Sequence, residues 1–219
     1  MDNESPLTSV ELFANLTDDE LGQLGRAAQR RRLFRNDVLF IEGDEADELF
    51  VVLSGRVAIA NRSPDGRESL LALMEAGDVF GDMGLLDRLG RSAQARALET
   101  SEVLVIPYAP VREIYRSRPE LLWGVVELLA GRLRSMDEAL ADAVFLDVTG
   151  RTAKRLLELA GEADEFVLPV TQEELAGMVG ASRERVNKAI AAFVRLGWVE
   201  QAERRYRITN RQQLAIRAR

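Results

Sequence analysis

The 219-residue chain contains no cysteine and no histidine. Without cysteine it forms no disulfide, no iron–sulfur cluster and no thiolate zinc site, and without histidine it lacks the commonest metal ligand and general base. With both missing, haem held through Cys or His is excluded as well. Most hydrolase and redox chemistry is thereby set aside. No GxxxxGK[ST], GxSxG or HExxH motif occurs, so no enzyme is expected. The carboxylates of EGDEADE, residues 42–48, lack EF-hand spacing and read as a solvated loop rather than a metal site. No apolar run reaches membrane-spanning length, and the start MDNESPLTSVELF is acidic, with no signal-peptide character. A cytoplasmic protein with no membrane partner is expected.

What is present is a chain 47% hydrophobic, able to bury a real core and long enough for two small domains. The net charge of −7 is unevenly spread. Residues 1–149 carry 16 Lys+Arg against 27 Asp+Glu, a balance of −11, whereas residues 150–219 carry 13 against 9, a balance of +4. An acidic body with a basic tail suggests a sensing domain joined to a nucleic-acid-binding one.

Three regimes follow one another. Thr17 and Glu20 have the capping-box spacing that opens a helix. From about 30 to 107, short apolar runs (DVLFI, LFVVLSGRVAIA, SLLALM, SEVLVI) alternate with Gly43, Gly55, Gly66, Gly77 and Gly81, the rhythm of a barrel or double-sheet roll, with SPDGRE as a hairpin turn. After Pro110 the pattern turns helical. Ser117 in SRPE reads as the cap of a helix running to about Phe145. Along it Leu122, Val126, Leu129, Leu133, Met136, Leu140 and Ala143 occupy a/d heptad positions, which predicts a homodimer seam on a helix about 40 Å long.

The third regime is a helix-turn-helix. Thr171 and Glu174 open one helix, Gly180 closes it, and Ser182 caps a second whose Ala189, Ile190, Phe193, Val194 and Leu196 are expected to bury one face. Arg183, Glu184, Arg185, Asn187 and Lys188 crowd the start of that helix, where a major-groove reader needs donors and acceptors. WVEQAERRYRIT then predicts a two-stranded wing whose Arg204, Arg205 and Arg207 meet the DNA backbone.

FGDMGLLDRLGRSAQARALE, FLDVTGR (145–151) and TQEELAGMVGASRERVNKA together resemble the cAMP receptor protein (CRP/FNR) family of bacterial transcription regulators over nearly the whole chain. The resemblance implies an α+β fold in three parts. These are a β-roll sensor of the cyclic-nucleotide-binding type over 1–118, a coiled-coil dimerisation helix and hinge over 119–147, and a winged helix-turn-helix over 148–219. It implies double-stranded promoter DNA and RNA polymerase as partners. Arg183, Glu184 and Lys188 fall at the family's base-reading positions, and Arg with Glu implies a TGTGA-like palindrome. Lys188 stands where the best-known members have Arg, so guanine contact there is monodentate. Thr171, Ser182, Arg185, Arg204 and Arg205 complete the expected DNA-binding set.

In the roll, Gly81, Arg91 and Ser92 match the family's ribose- and phosphate-binding residues, with Met83 in the same cassette. Two departures stand out. The family's Glu after the glycine is Asp82 here, and the Thr that reads adenine corresponds to Met136, which donates no hydrogen bond, with Asp137 as its polar neighbour. Three states stay open for the roll: weak cAMP binding, a different anionic effector, or a regulator without ligand control. If a ligand acts, it does so by shifting populations, with the hinge at Asp147–Gly150 absorbing the rotation. The alternative to a DNA-binding regulator is a cyclic-nucleotide-binding regulatory or adaptor protein, which has no use for SRERVNK and a wing.

Overall fold

The computed structural model describes residues 6–62 and 68–219, so most of the SPDGRE turn lies outside the described residues. The chain divides into two compact units, one built on residues up to Leu133 and one on Arg134–Arg219.

In the first unit the Thr17–Glu20 capping box opens helix α1 (Asp18–Ala27), as its spacing predicts. Strands β1 (Gln29–Leu33), β2 (Val38–Phe40), β3 (Glu48–Ser54), β4 (Val57–Arg62), β5 (Glu68–Met74), β6 (Val79–Phe80), β7 (Gln94–Ala97) and β8 (Ser101–Pro107) follow, with the short helix α2 (Met83–Asp87) between β6 and β7. They form two four-stranded sheets, ordered β1-β8-β3-β6 and β2-β7-β4-β5. This is the double-sheet roll.

The run LFVVLS is continuously apolar because β3 is covered on both faces. Leu49 and Val51 enter a core shared with Leu24, Ile106, Ile114 and Val125, while Phe50 and Val52 enter the core between the sheets with Phe40, Phe80, Ala95 and Val103. The antiparallel register of β3 on β8, with Leu49 opposite Ile106 and Phe50 opposite Val105, keeps this alternation.

Helix α3 (Tyr108–Ser117) starts at Tyr108, ahead of Pro110, and corrects one expectation. Ser117 does not cap the following helix; it is the last residue of α3, and its hydroxyl donates to the Ile114 carbonyl. Arg118 precedes Pro119 and is therefore driven out of helical geometry, at φ −131° and ψ 74°. A 3-10 turn over Pro119–Leu121 intervenes before helix α4 (Leu122–Phe145). Val125 and Leu128 bury one side of α4 in the first unit's core. The a/d stripe takes another side: Leu122, Val126, Leu129, Leu133, Met136 and Leu140 are 41–68% exposed in the single chain.

In the second unit Asp147 caps helix α5 (Val148–Ala160), its carboxylate accepting from the Gly150 amide at 2.8 Å. Strand β9 (Glu165–Val167), helices α6 (Gln172–Val179) and α7 (Arg183–Arg195), strands β10 (Val199–Ala202) and β11 (Arg205–Ile208) and helix α8 (Arg211–Arg217) complete it. The expected two-stranded wing is a three-stranded sheet, because β9 pairs with β11. Leu156, Leu168, Leu175, Ile190, Phe193 and Leu214 are buried in this unit, where α5 packs against α6, α7 and α8.

Candidate nucleic-acid interface and effector cassette

The α6–α7 turn is built by caps at both helix ends. Thr171 and Glu174 form a reciprocal capping box at the start of α6. At its end Gly180 takes φ +67°, and the Gly180 and Ala181 amides donate to the Gly177 and Ala176 carbonyls, a Schellman closure. Ser182 then accepts from the Arg185 amide and starts α7.

Val186, Ala189, Ile190 and Phe193 turn one side of α7 into the core. That periodicity leaves Arg183, Glu184, Arg185, Asn187 and Lys188 exposed on the other. Lys188 bonds the Glu184 carboxylate at 2.7 Å, one helical turn apart, and this contact holds Glu184 below its ordinary pKa. Arg183 and Arg185 make no ion pair among the described residues. The wing arginines differ from one another. Arg204 donates to the Leu168 carbonyl at 2.8 Å, and Arg207 is claimed by Glu165 and Glu200, whereas exposed Arg205 has no acidic partner among the described residues.

The cassette residues Gly81, Asp82, Met83, Arg91 and Ser92 lie together around the β6–α2 junction. Gly81 has φ +75°, and a Cβ there would stand 2.8 Å from Nη1 of Arg91, so both the turn and the close approach require glycine. Arg91 is only 6% exposed and Asp82 only 2%, and the two are not paired with each other among the described residues. Asp82 is held instead by Arg132 of α4, Nη1 to Oδ2 at 2.8 Å. Arg91 Nη1 donates to the Gly81 carbonyl at 2.9 Å and to the Tyr108 hydroxyl at 3.2 Å. The Ser92 hydroxyl lies 3.3 Å from the Met83 sulfur. Met136 and Asp137 are exposed on the part of α4 that belongs to the second unit.

Arg132 and Tyr108 escape a motif-based reading. Arg132 was findable by asking which cation on α4 answers a carboxylate buried in the cassette. Tyr108 carries no sequence signal beyond an aromatic residue at a strand-to-helix junction.

A buried cassette arginine on a double-sheet roll, with a helix-turn-helix whose uncovered basic turn is backed by a wing, defines a DNA-binding transcription regulator with a nucleotide-binding-type sensor. Residues 30–118 match the cyclic nucleotide-binding domain and residues 150–217 the Crp-like helix-turn-helix domain. The CRP-like cAMP-activated global transcriptional regulator of Mycobacterium tuberculosis is 36% identical over 220 residues, covering 97% of this chain and 98% of its own length. The cAMP-activated global transcriptional regulator Vfr of Pseudomonas aeruginosa is 34% identical, covering 82% of this chain and 88% of its own. Among solved structures, the c-di-GMP responsive global regulator CLP of Xanthomonas campestris superposes with a TM-score of 0.75 at 25% identity, over 88% of this chain and 99% of its own. The chain belongs to the CRP/FNR family of transcription regulators. These relatives are named as transcription regulators, not as enzymes. Among the described residues no helix is long and apolar enough to cross a membrane.

Proposed function

We propose that the protein is a homodimeric, cytoplasmic regulator that reads a TGTGA-like palindrome in promoter DNA, acts on RNA polymerase, and has its DNA affinity set by a nucleotide in the cassette. The observation that carries this reading is the N-terminal half of α7. Its side chains Arg183, Glu184, Arg185 and Lys188 are exposed above a buried face, on a helix start fixed by the Ser182 cap. Arg suits guanine O6 and N7, Glu accepts from cytosine N4, and Lys188 and Arg185 reach guanine or phosphate. The exposed stripe of α4 supports dimerisation, which supplies the two symmetric half-sites a palindrome needs.

The cassette fits the phosphate of a nucleotide: Arg91 supplies a buried positive charge, and its Nε has no acceptor among the described residues. Met136 fits adenine recognition poorly, having no donor. Relatives named as cAMP-activated make cAMP the first effector to test, and the c-di-GMP responsive neighbour makes other nucleotides the next.

The test is fluorescence anisotropy of a labelled TGTGA palindrome and a scrambled duplex at fixed salt, with and without cAMP. Specific binding enhanced by cAMP supports the whole reading. Specific binding indifferent to cAMP keeps the DNA reading and moves the effector to another nucleotide or to none. Equal binding to both duplexes removes sequence recognition.

A further inference from the structure

Arg91 raises a question of charge balance. A buried guanidinium ordinarily has a carboxylate beside it, because an unpaired charge out of water is costly. Here no carboxylate forms an ion pair with it among the described residues, and the buried carboxylate next to the cassette glycine, Asp82, is taken by Arg132. Three rings surround Arg91 instead. Its guanidinium carbon lies 4.3 Å from the ring centroid of Phe40, 5.4 Å from that of Phe50 and 6.0 Å from that of Tyr108. Ring faces and carbonyl dipoles stabilise a cation without cancelling its charge, and in a desolvated site their attraction is at its strongest.

The hydrogen bonds divide the guanidinium into a held part and a free one. Nη1 is anchored on the Gly81 carbonyl and the Tyr108 oxygen. Tyr108 donates its own proton to the same Gly81 carbonyl, which closes a three-membered network. Nε is buried and lacks an acceptor among the described residues. Tyr108 is itself enclosed: it is the first residue of α3, 1% exposed, with Arg112 lying over its ring at 5.2 Å and donating to the Gly84 carbonyl at 3.2 Å.

We infer that Phe40, Phe50 and Tyr108 form an aromatic seat that holds the Arg91 guanidinium without a carboxylate partner, and that the Tyr108 hydroxyl positions it so that its Nε meets an anionic phosphate oxygen of the effector. Tyr108 is a positioning residue and need not touch the ligand. This inference rests on the proposal that the cassette holds an effector phosphate. A carboxylate in the ring positions would neutralise Arg91 and compete with that phosphate; an aromatic seat does neither.

The test is Tyr108→Phe, which keeps the ring and deletes only the hydroxyl. Two readouts are taken on the full chain. The first is water exchange of the Arg91 Nε–H in spectra of 15N-arginine-labelled protein, assigned by its loss in Arg91→Lys. It is expected to be slow in the parent and about tenfold faster in Tyr108→Phe, as anchoring by a charge-assisted bond requires. The second is affinity for cAMP and for adenosine, which lacks the phosphate. Tyr108→Phe is expected to weaken cAMP about tenfold and leave adenosine unchanged. Unchanged exchange overturns the inference, and so does equal loss for both ligands, which marks a merely structural role. If the parent binds no cyclic nucleotide, the effector reading fails, and the exchange rates still decide whether Tyr108 holds Arg91.

Discussion

At the scale of single residues, the hinge and the recognition helix give separable predictions. Asp147 caps α5 and meets Arg217 of α8, so one carboxylate ties the start of one helix to the end of another. Its pKa is held below the ordinary 3.8, first by the hydrogen bond from the Gly150 amide and then by Arg217, against an opposing effect of burial. A depressed folded-state pKa means that the stabilisation is fully present above the unfolded value and lost as pH falls through the folded one. Asp147→Ala is therefore expected to lower stability by about 1 kcal/mol at neutral pH, with the gap to the parent closing below about pH 4. Urea unfolding at pH 7 and pH 3 measures both arms, and an equal gap at the two pH values would show that the carboxylate charge is irrelevant. Arg183 is different in kind, since it is exposed and its side chain makes no hydrogen bond or ion pair among the described residues. Arg183→Ala is expected to cost on the order of 1–3 kcal/mol on a TGTGA site and to relax the preference for guanine at one position, with the melting temperature unmoved. The same loss on a scrambled duplex would assign Arg183 to phosphate rather than to base.

At the scale of elements, α4 is the piece whose sequence and environment disagree most openly. Val125 and Leu128 satisfy one side within the first unit, yet the a/d stripe leaves large apolar side chains in water. Fully burying a leucine contributes roughly 1.5–3 kcal/mol, so a second copy along this stripe has ample driving force. Leu133, 59% exposed and close to the middle of the helix, is the point to probe. Leu133→Glu is expected to convert a dimer into monomers at micromolar concentration in sedimentation velocity, with the far-UV helix signal of the monomer retained. Dimers persisting unchanged would remove the seam from this stripe. Elements with strong periodicity or caps were legible in advance: the long helix α4, α6, α7 and the hairpin of the wing all follow from spacing and from Thr171, Gly180 and Ser182. Those that failed to announce themselves have physical reasons. Strand β1 reads QRRRL and looks like a solvated loop, but its arginines project from an edge strand and only Leu33 is buried. Strand β9 has three residues, and only its pairing with β11 gives it strand character. Ser117 carried a helix-start signature that Arg118 overrode, because the residue before a proline resists helical geometry more strongly than a serine favours a cap. In the cassette, Gly81, Asp82, Arg91 and Ser92 were visible as a motif. The roles of Arg132 and Tyr108 depend on contacts across distant sequence, Asp82 with Arg132 and Gly81 with Tyr108, that no local pattern encodes.

At the scale of the whole molecule, a chain of net charge −7 has to bind a polyanion. The surplus of four positive charges after residue 149 overstates what faces outward, because Arg151, Arg204 and Arg211 donate to backbone carbonyls and Arg207 and Arg217 to carboxylates. Arg183, Arg185 and Arg205 have no such partners among the described residues, and Lys188 shares its charge only with exposed Glu184. Of these free cations Arg183 and Arg185 lie at the start of α7 and Arg205 on the wing sheet, where phosphate can be neutralised, while Arg195 at the end of α7 and Arg219 also lack such partners among the described residues. Taking three or four phosphate contacts per protomer and two protomers, DNA affinity is expected to fall roughly 10³- to 10⁴-fold between 50 and 200 mM salt, along a straight double-logarithmic line. Arg205→Ala is expected to reduce that slope by roughly one unit for each contact it removes, with sequence preference intact, whereas Arg207→Ala changes it little because Glu165 and Glu200 already consume that charge. Anisotropy titrations across this salt range compare the two variants directly. A slope equally altered by both would mean that the ion pairs of the free wing open on DNA, and that the charge pattern of the isolated chain does not set the contact surface.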